Sequence, residues 1–213
     1  MKRYLSDVAV LARKDLVLEL RARDTLPAML LFVVSALVVF HFALPSHSSD
    51  LAAKGLLWVA IVFTALVGLT RAFVAEREQR LIDGLLLAPC DRSAIWLAKS
   101  VAVLAFLGVA EVVALPAYSI FFSGIGWSTV AAVALADLGI VAVGTLLAAI
   151  AAVSRARELL LPLLFLPLAI PVVVGGVGAS VVGSPGRYLG FLCLYDVVFA
   201  IISWASFEYV VTE

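Results

Sequence analysis

Long apolar runs alternate with short polar stretches through almost the whole chain. Six runs stand out: Leu26–Leu44, Leu51–Thr70, Val101–Phe122, Trp127–Val153, Leu159–Val182 and Tyr188–Val211. Each reaches or approaches the roughly 20 residues that a helix needs to cross about 30 Å of hydrocarbon. Lipid cannot hydrogen-bond an open backbone, so only helices and closed barrels span it, and runs of this length are helical. The pattern predicts an all-α, polytopic membrane protein with six transmembrane helices.

Two polar segments add elements outside the spans. In Tyr4–Thr25, Leu5, Ala9, Ala12, Leu16 and Leu20 share one face at helical spacing, and Asp7, Lys14 and Arg21 share the other. This predicts an N-terminal interfacial helix lying on the inner leaflet. Between spans two and three, Leu81, Ile82, Leu85 and Leu86 fall on one arc, with Glu76, Arg77, Arg80 and Asp83 on the other. Pro89 stops that helix, and Asp91 or Ser93 is positioned to cap the next. The chain therefore reads as one domain over residues 1–213. It holds an interfacial helix (1–25), spans one and two (26–70), an amphipathic coupling segment (71–99) and spans three to six (100–213).

Composition narrows the class. Charged residues make up 14% and hydrophobic residues 64%, against roughly 25% and 45–50% in soluble domains. A soluble enzyme and a nucleic-acid binder are both excluded as readings, because so few polar groups cannot cover a globule of this size. The bilayer is the solvent. The formal net charge is zero, but its distribution is lopsided: of 15 Lys and Arg residues, only Lys54 and Arg187 fall on one side of the six-span arrangement. The positive-inside rule then places both termini and the second and fourth connections in the cytoplasm, in the cytoplasmic (inner) membrane.

Candidate chemistry is sparse. Cys90 and Cys193 form no metal or redox spacing. The stretch Gly178 to Gly183 has the glycine spacing of a phosphate loop, but Ser184 stands where lysine is required. Gly183-Ser184-Pro185-Gly186 reads as a turn rather than a serine nucleophile, since no mid-span histidine is present to activate the hydroxyl. No catalytic residue and no resident metal site are expected. His41 and His47, near the outer end of span one, are imidazoles that haem iron accepts as axial ligands, or simple interfacial residues. Trp96 and Trp127 read as interfacial anchors. Glu111, Asp137 and Asp196 stand within spans, where an isolated charge costs roughly 2.5–3.5 kcal/mol. They either line a proton or substrate path or join spans by hydrogen bonds. At 1.5 Å per residue, Glu111 lies about 18 Å from Lys99 and Asp137 about 15 Å from Trp127, so their depths match. Pro162, Pro167 and Pro171 followed by Gly175, Gly176 and Gly178 predict a fifth span that kinks or breaks toward its outer end. Gly144, Ala148 and Ala152 form a small-residue face for close helix packing, including against a second copy of the chain.

Certain motifs carry a resemblance. These are Lys14-Asp15-Leu16-x-Leu18-Glu19-Leu20-Arg21, Leu56-Leu57-Trp58-Val59-Ala60, Arg71-x-Phe73, Glu76-Arg77-Glu78, Leu81-x-Asp83-Gly84-Leu85-Leu86-Leu87-Ala88-Pro89, and Asp91-Arg92-Ser93-x-Ile95 with Lys99. Together they resemble CcmB, the permease family of the cytochrome c maturation haem exporter, a type-2 ABC exporter permease. The resemblance runs over the full length. It implies a permease without its own nucleotide site, working with a separate ATP-binding subunit, CcmA, the haem-handling membrane subunit CcmC and the small CcmD. ATP then enters through the partner, and haem is the transported ligand rather than a bound cofactor. Glu76, Arg77, Arg80, Leu81, Asp83, Leu85 and Leu86 become the expected contacts for the ATP-binding subunit. A type-2 permease for another substrate, and a membrane scaffold that assembles haem-handling partners without transporting, remain alternatives.

Overall fold

A computed structural model describes residues 2–45, 50–72, 91–154, 157–181 and 183–212. Among them are seven helices and no strand: α1 (Lys2–Ala22), α2 (Thr25–Ala43), α3 (Asp50–Arg71), α4 (Arg92–Phe121), α5 (Trp127–Val153), α6 (Arg157–Val181) and α7 (Gly186–Thr212). Helices α2 to α7 are each long and apolar enough to cross a membrane, and they coincide with the six apolar runs.

The chain runs up and down, so the ends of α1, α3, α5 and α7 gather with the starts of α4 and α6 at the end that holds most of the basic residues. Helix α5 is the centre of the bundle and packs on α3, α4, α6 and α7. Its small residues make this possible. Leu69 of α3 lies directly over Gly144, where an added Cβ would stand 2.8 Å from one Leu69 methyl, and Ala148 is buried beside it. The small-residue face thus serves close helix packing within the chain, at Gly144 against α3. One core of apolar side chains runs through α2 to α7, from Met29 and Leu37 through Trp58 and Leu107 to Phe165 and Leu192.

Four details depart from the sequence expectations. The third span starts at Arg92 rather than at residue 101. Its first two turns are rich in alanine, and they pack on α1 instead of belonging to the coupling segment. Asp91 and Ser93 make no side-chain cap there; the Ser93 hydroxyl donates instead to the Tyr4 hydroxyl at 3.3 Å. Helix α6 runs unbroken through Pro162, Pro167 and Pro171. The Tyr195 hydroxyl of α7 ties it to the neighbouring span by donating to the Leu168 carbonyl at 2.8 Å. Trp96 is no interfacial anchor: it is buried among Ile95, Ala142, Ala149 and Phe207, whereas Trp127 is 82% exposed.

Helix α1 has two working faces, of which the sequence reading saw one. Val8 and Ala12, flanked by Tyr4 and Leu11, pack on Ala94 and Ala98 of α4. The expected apolar row splits: Ala12 is buried and Leu16 half-buried, while Leu5, Ala9 and Leu20 stay exposed. Exposed Val10 and Val17 widen that outward apolar surface. The helix ends at Arg23, a left-handed residue (φ 57°) whose N–H bonds the Glu19 carbonyl at 3.0 Å. The Thr25 hydroxyl also donates to the Glu19 carboxylate, bracing the turn into α2.

Candidate functional site

The expected partner contacts Glu76, Arg77, Arg80, Leu81, Asp83, Leu85 and Leu86 lie outside the described residues. What the structure does place is the frame that holds this segment. It leaves α3 after Arg71 and Ala72 and returns at Asp91 and Arg92, the start of α4. Both roots lie at the basic end of the bundle.

That end contains a cleft lined by Asp15, Glu19, Thr25, Gly68, Ala72 and Lys99, with Val103 and Phe106 as its apolar floor. Its volume is about 30 Å³, room for about one ordered water. In its wall Lys99 Nζ meets Asp15 Oδ2 at 3.2 Å, with both side chains 6% exposed. Lys14 adds a second cation at 3.0 Å from Asp15 Oδ1, and is 32% exposed itself. The same α4 turns are held from the other side by Arg92, 3.8 Å from Glu208 of α7. Removing two charges from water costs several kcal/mol per ion, and their attraction returns most of it only with good geometry. A buried pair of this kind is weak evidence for net stability, though removing one partner is costly. Asp15 and Lys99 both stand in the motifs described above, and nothing in the sequence signals that they meet.

The intramembrane carboxyls separate into two places. Glu111 of α4 and Asp137 of α5 are close neighbours across the two helices. Both are buried, and one oxygen of each has no protein partner. Two carboxyls in contact need a proton between them. Asp196 of α7 lies apart, against the backbone of Gly139 on α5, in space that a side chain at 139 would fill.

At the opposite end Lys54 of α3 bridges Asp50, at 2.9 Å, and the Ser180 carbonyl near the end of α6, at 2.7 Å. Trp58 Nε1 donates to the Ser180 hydroxyl at 3.2 Å, and Ser123 donates to Asp50 at 2.9 Å. A cation on the last carbonyls of a helix satisfies acceptors that have no intrahelical donor. No sequence pattern singled out Lys54 and Ser180 as partners. His41 lies among the rings of Phe42, Phe121 and Phe122, with centroids 5.3–5.7 Å away. Among the described residues no group of His, Cys, Asp or Glu is arranged to hold a metal ion. His47 lies outside the described residues.

Comparison with known proteins adds two findings. The profile of the family described as "CcmB protein" matches residues 6–206. A curated relative from Bradyrhizobium diazoefficiens, "Heme exporter protein B", is 28% identical over 209 residues, covering 93% of this chain and 94% of the relative.

Proposed function

This chain belongs to the CcmB protein family, and from that premise we propose that it is the membrane-spanning permease subunit of an ABC exporter that delivers haem for cytochrome c biogenesis. The observation that carries the reading is the family match over nearly the whole of a six-span bundle. Haem is cargo in this reading, handled across the membrane by the assembled exporter. ATP is hydrolysed by a separate ATP-binding subunit of the CcmA kind, and CcmC and CcmD complete the assembly together with a second copy of this chain. Both termini face the cytoplasm, as the distribution of Lys and Arg favours.

In this arrangement Glu76, Arg77, Arg80 and Asp83 meet the ATP-binding subunit through their charged arc. Leu81, Leu85 and Leu86 hold the segment against the membrane or a pocket of the partner. The test is recovery of the ATP-binding subunit with the tagged permease from detergent. Leu85→Asp and the pair Arg77→Glu/Arg80→Glu are expected to lower that recovery and cytochrome c maturation while the permease still inserts. Full recovery with both would remove the docking role.

A further inference from the structure

We propose that α1 and the turn after it bind the headgroups of anionic phospholipid, through Arg13, Arg21 and Arg23, in the leaflet at the basic end of the bundle. The depth of α1 is set by what it packs on. Val8 and Ala12 lie on Ala94 and Ala98, and Asp15 meets Lys99, all within the first two turns of α4. The chain then passes through Arg23 and Asp24 and enters α2 at Thr25. Helices α2 and α4 are both long and apolar enough to cross a membrane. Helix α1 therefore lies against the ends of two spans, at the level where an amphipathic helix meets headgroups and the first acyl carbons.

The face that the protein leaves open has the chemistry of that boundary. Leu5, Val10, Val17 and Leu20 are all exposed. They are aliphatic, without the aromatic residues that dominate protein–protein contacts. At about 100° per residue, Arg13 and Arg21 bracket Val10 and Val17 around the helix, and both arginines are exposed, as is Arg23 in the turn. The acids point the other way. Asp15 is buried with Lys14 and Lys99 as its partners, Glu19 accepts from the Thr25 hydroxyl, and Asp7 is half-buried, which leaves Asp24 as the exposed acid of residues 2–24. In the sequence this is a segment of mixed charge; folding sorts its arginines outward and most of its carboxylates inward. An arginine stem lies along apolar surface while its guanidinium reaches a phosphate with paired N–H donors. A zwitterionic headgroup offsets that attraction with its own cation, and an anionic headgroup does not, so the face favours the anionic lipid.

The experiment equilibrates the purified full chain with mixed micelles of phosphatidylcholine and phosphatidylglycerol. The ratio of the two lipids retained is read by mass spectrometry against the ratio supplied. One basic residue near an anionic surface changes binding by about fivefold, so Arg13→Gln/Arg21→Gln/Arg23→Gln is expected to lower the phosphatidylglycerol enrichment by at least about fivefold. Arg187→Gln, at the other end of the bundle, is expected to stay within about twofold of wild type, since the field of a surface charge fades within a Debye length of about 10 Å. Salt at about 1 M is expected to abolish the enrichment of the unaltered chain, a reading that needs no variant. Enrichment that survives either the triple substitution or the salt would overturn the proposal, as would an equal loss in Arg187→Gln. A second reading places the apolar face. Leu20→Cys, in a chain carrying Cys90→Ala and Cys193→Ala, is labelled with bimane in vesicles of the same two lipids, with and without the ATP-binding subunit. Brominated acyl chains are expected to quench the label in both. A label quenched only without the subunit would assign the face to that partner and overturn the proposal, and so would a label quenched in neither.

Discussion

Lys99 Nζ lies 3.2 Å from Asp15 Oδ2, joining a helix that does not span the membrane to one that does. The two residues come from motifs far apart in the chain, and each is buried as deeply as the apolar residues around it. The first prediction is thermodynamic. Asp15→Ala or Lys99→Met leaves an uncompensated charge and is expected to destabilise the detergent-purified protein by about 3–5 kcal/mol. The Asp15→Leu/Lys99→Leu variant is expected to unfold close to wild type. Thermal unfolding of the three variants checks the order, and a double variant less stable than both singles would contradict it.

Lys54 makes a different kind of tie. It holds Asp50 on its own helix and the Ser180 carbonyl on α6, and its side chain is only 14% exposed. Lys54→Met keeps the apolar stem and removes both charged bonds. Hydrogen bonds to charged groups contribute about 1.5–3 kcal/mol, so a loss of that size is expected. Ser180→Ala removes only the hydroxyl that accepts from Trp58, and should cost about 1 kcal/mol. Equal losses from the two substitutions would argue against the carbonyl bond as the main tie.

Glycines separate by what surrounds them. A Cβ on Gly176 would run into the indole of Trp58, whereas Gly108 and Gly190 have nothing within 4 Å. Gly176→Ala is expected to destabilise by about 1–3 kcal/mol through overpacking. Gly108→Ala, in the interior of α4, should stabilise by up to about 1 kcal/mol, since alanine loses less backbone freedom in a helix. Melting of the two variants side by side checks the contrast.

Why the sequence revealed some of this and not the rest is a matter of which forces are local. Span positions follow from hydropathy, a local property, and the α5 run Trp127–Val153 has the predicted ends. The similar depth of Glu111 and Asp137 follows from counting residues along the spans, but nothing local in the sequence says that they are neighbours. Helix α1 was half legible: its outward row of Leu5, Ala9 and Leu20 shows in the periodicity. The face carrying Val8 and Asp15 is defined by Ala94, Ala98 and Lys99 of α4, which lie beyond any local window. Likewise Trp96 resembles a membrane-edge tryptophan in sequence, and its burial depends on Phe207 arriving from α7. The prolines of α6 signal lost hydrogen bonds, yet the helix runs unbroken through them.

Orientation is open to direct labelling. Cys90 and Cys193 are first replaced by alanine, which matters because Cys193 is exposed. Single cysteines are then placed at Ser184, exposed between α6 and α7, and at Ser154, just past α5. With both termini in the cytoplasm, a membrane-impermeant maleimide should label Ser184→Cys in intact cells, and Ser154→Cys only in inverted vesicles. The reverse result would invert the whole arrangement, including the side on which the Asp15–Lys99 cleft opens.

The carboxyls of Glu111 and Asp137 give the last prediction. They lie side by side across α4 and α5, and both are buried. A pair in contact needs one shared proton, so an amide at either position supplies a donor in its place. Glu111→Gln and Asp137→Asn should therefore fold within about 1 kcal/mol of wild type. Glu111→Leu is different: it strands the Asp137 carboxyl among apolar neighbours, and a buried group without its partner costs about 1–3 kcal/mol. Stability alone does not separate an inter-helix tie from a group that exchanges its proton during transport, so cytochrome c maturation is measured on the same variants. If the pair only joins helices, Glu111→Gln matures cytochrome c normally while Glu111→Leu is impaired in proportion to its lower abundance. If the proton must leave, Glu111→Gln is stable yet defective, because an amide donates without releasing a proton. Normal maturation by both Glu111→Gln and Asp137→Asn would assign the pair to structure.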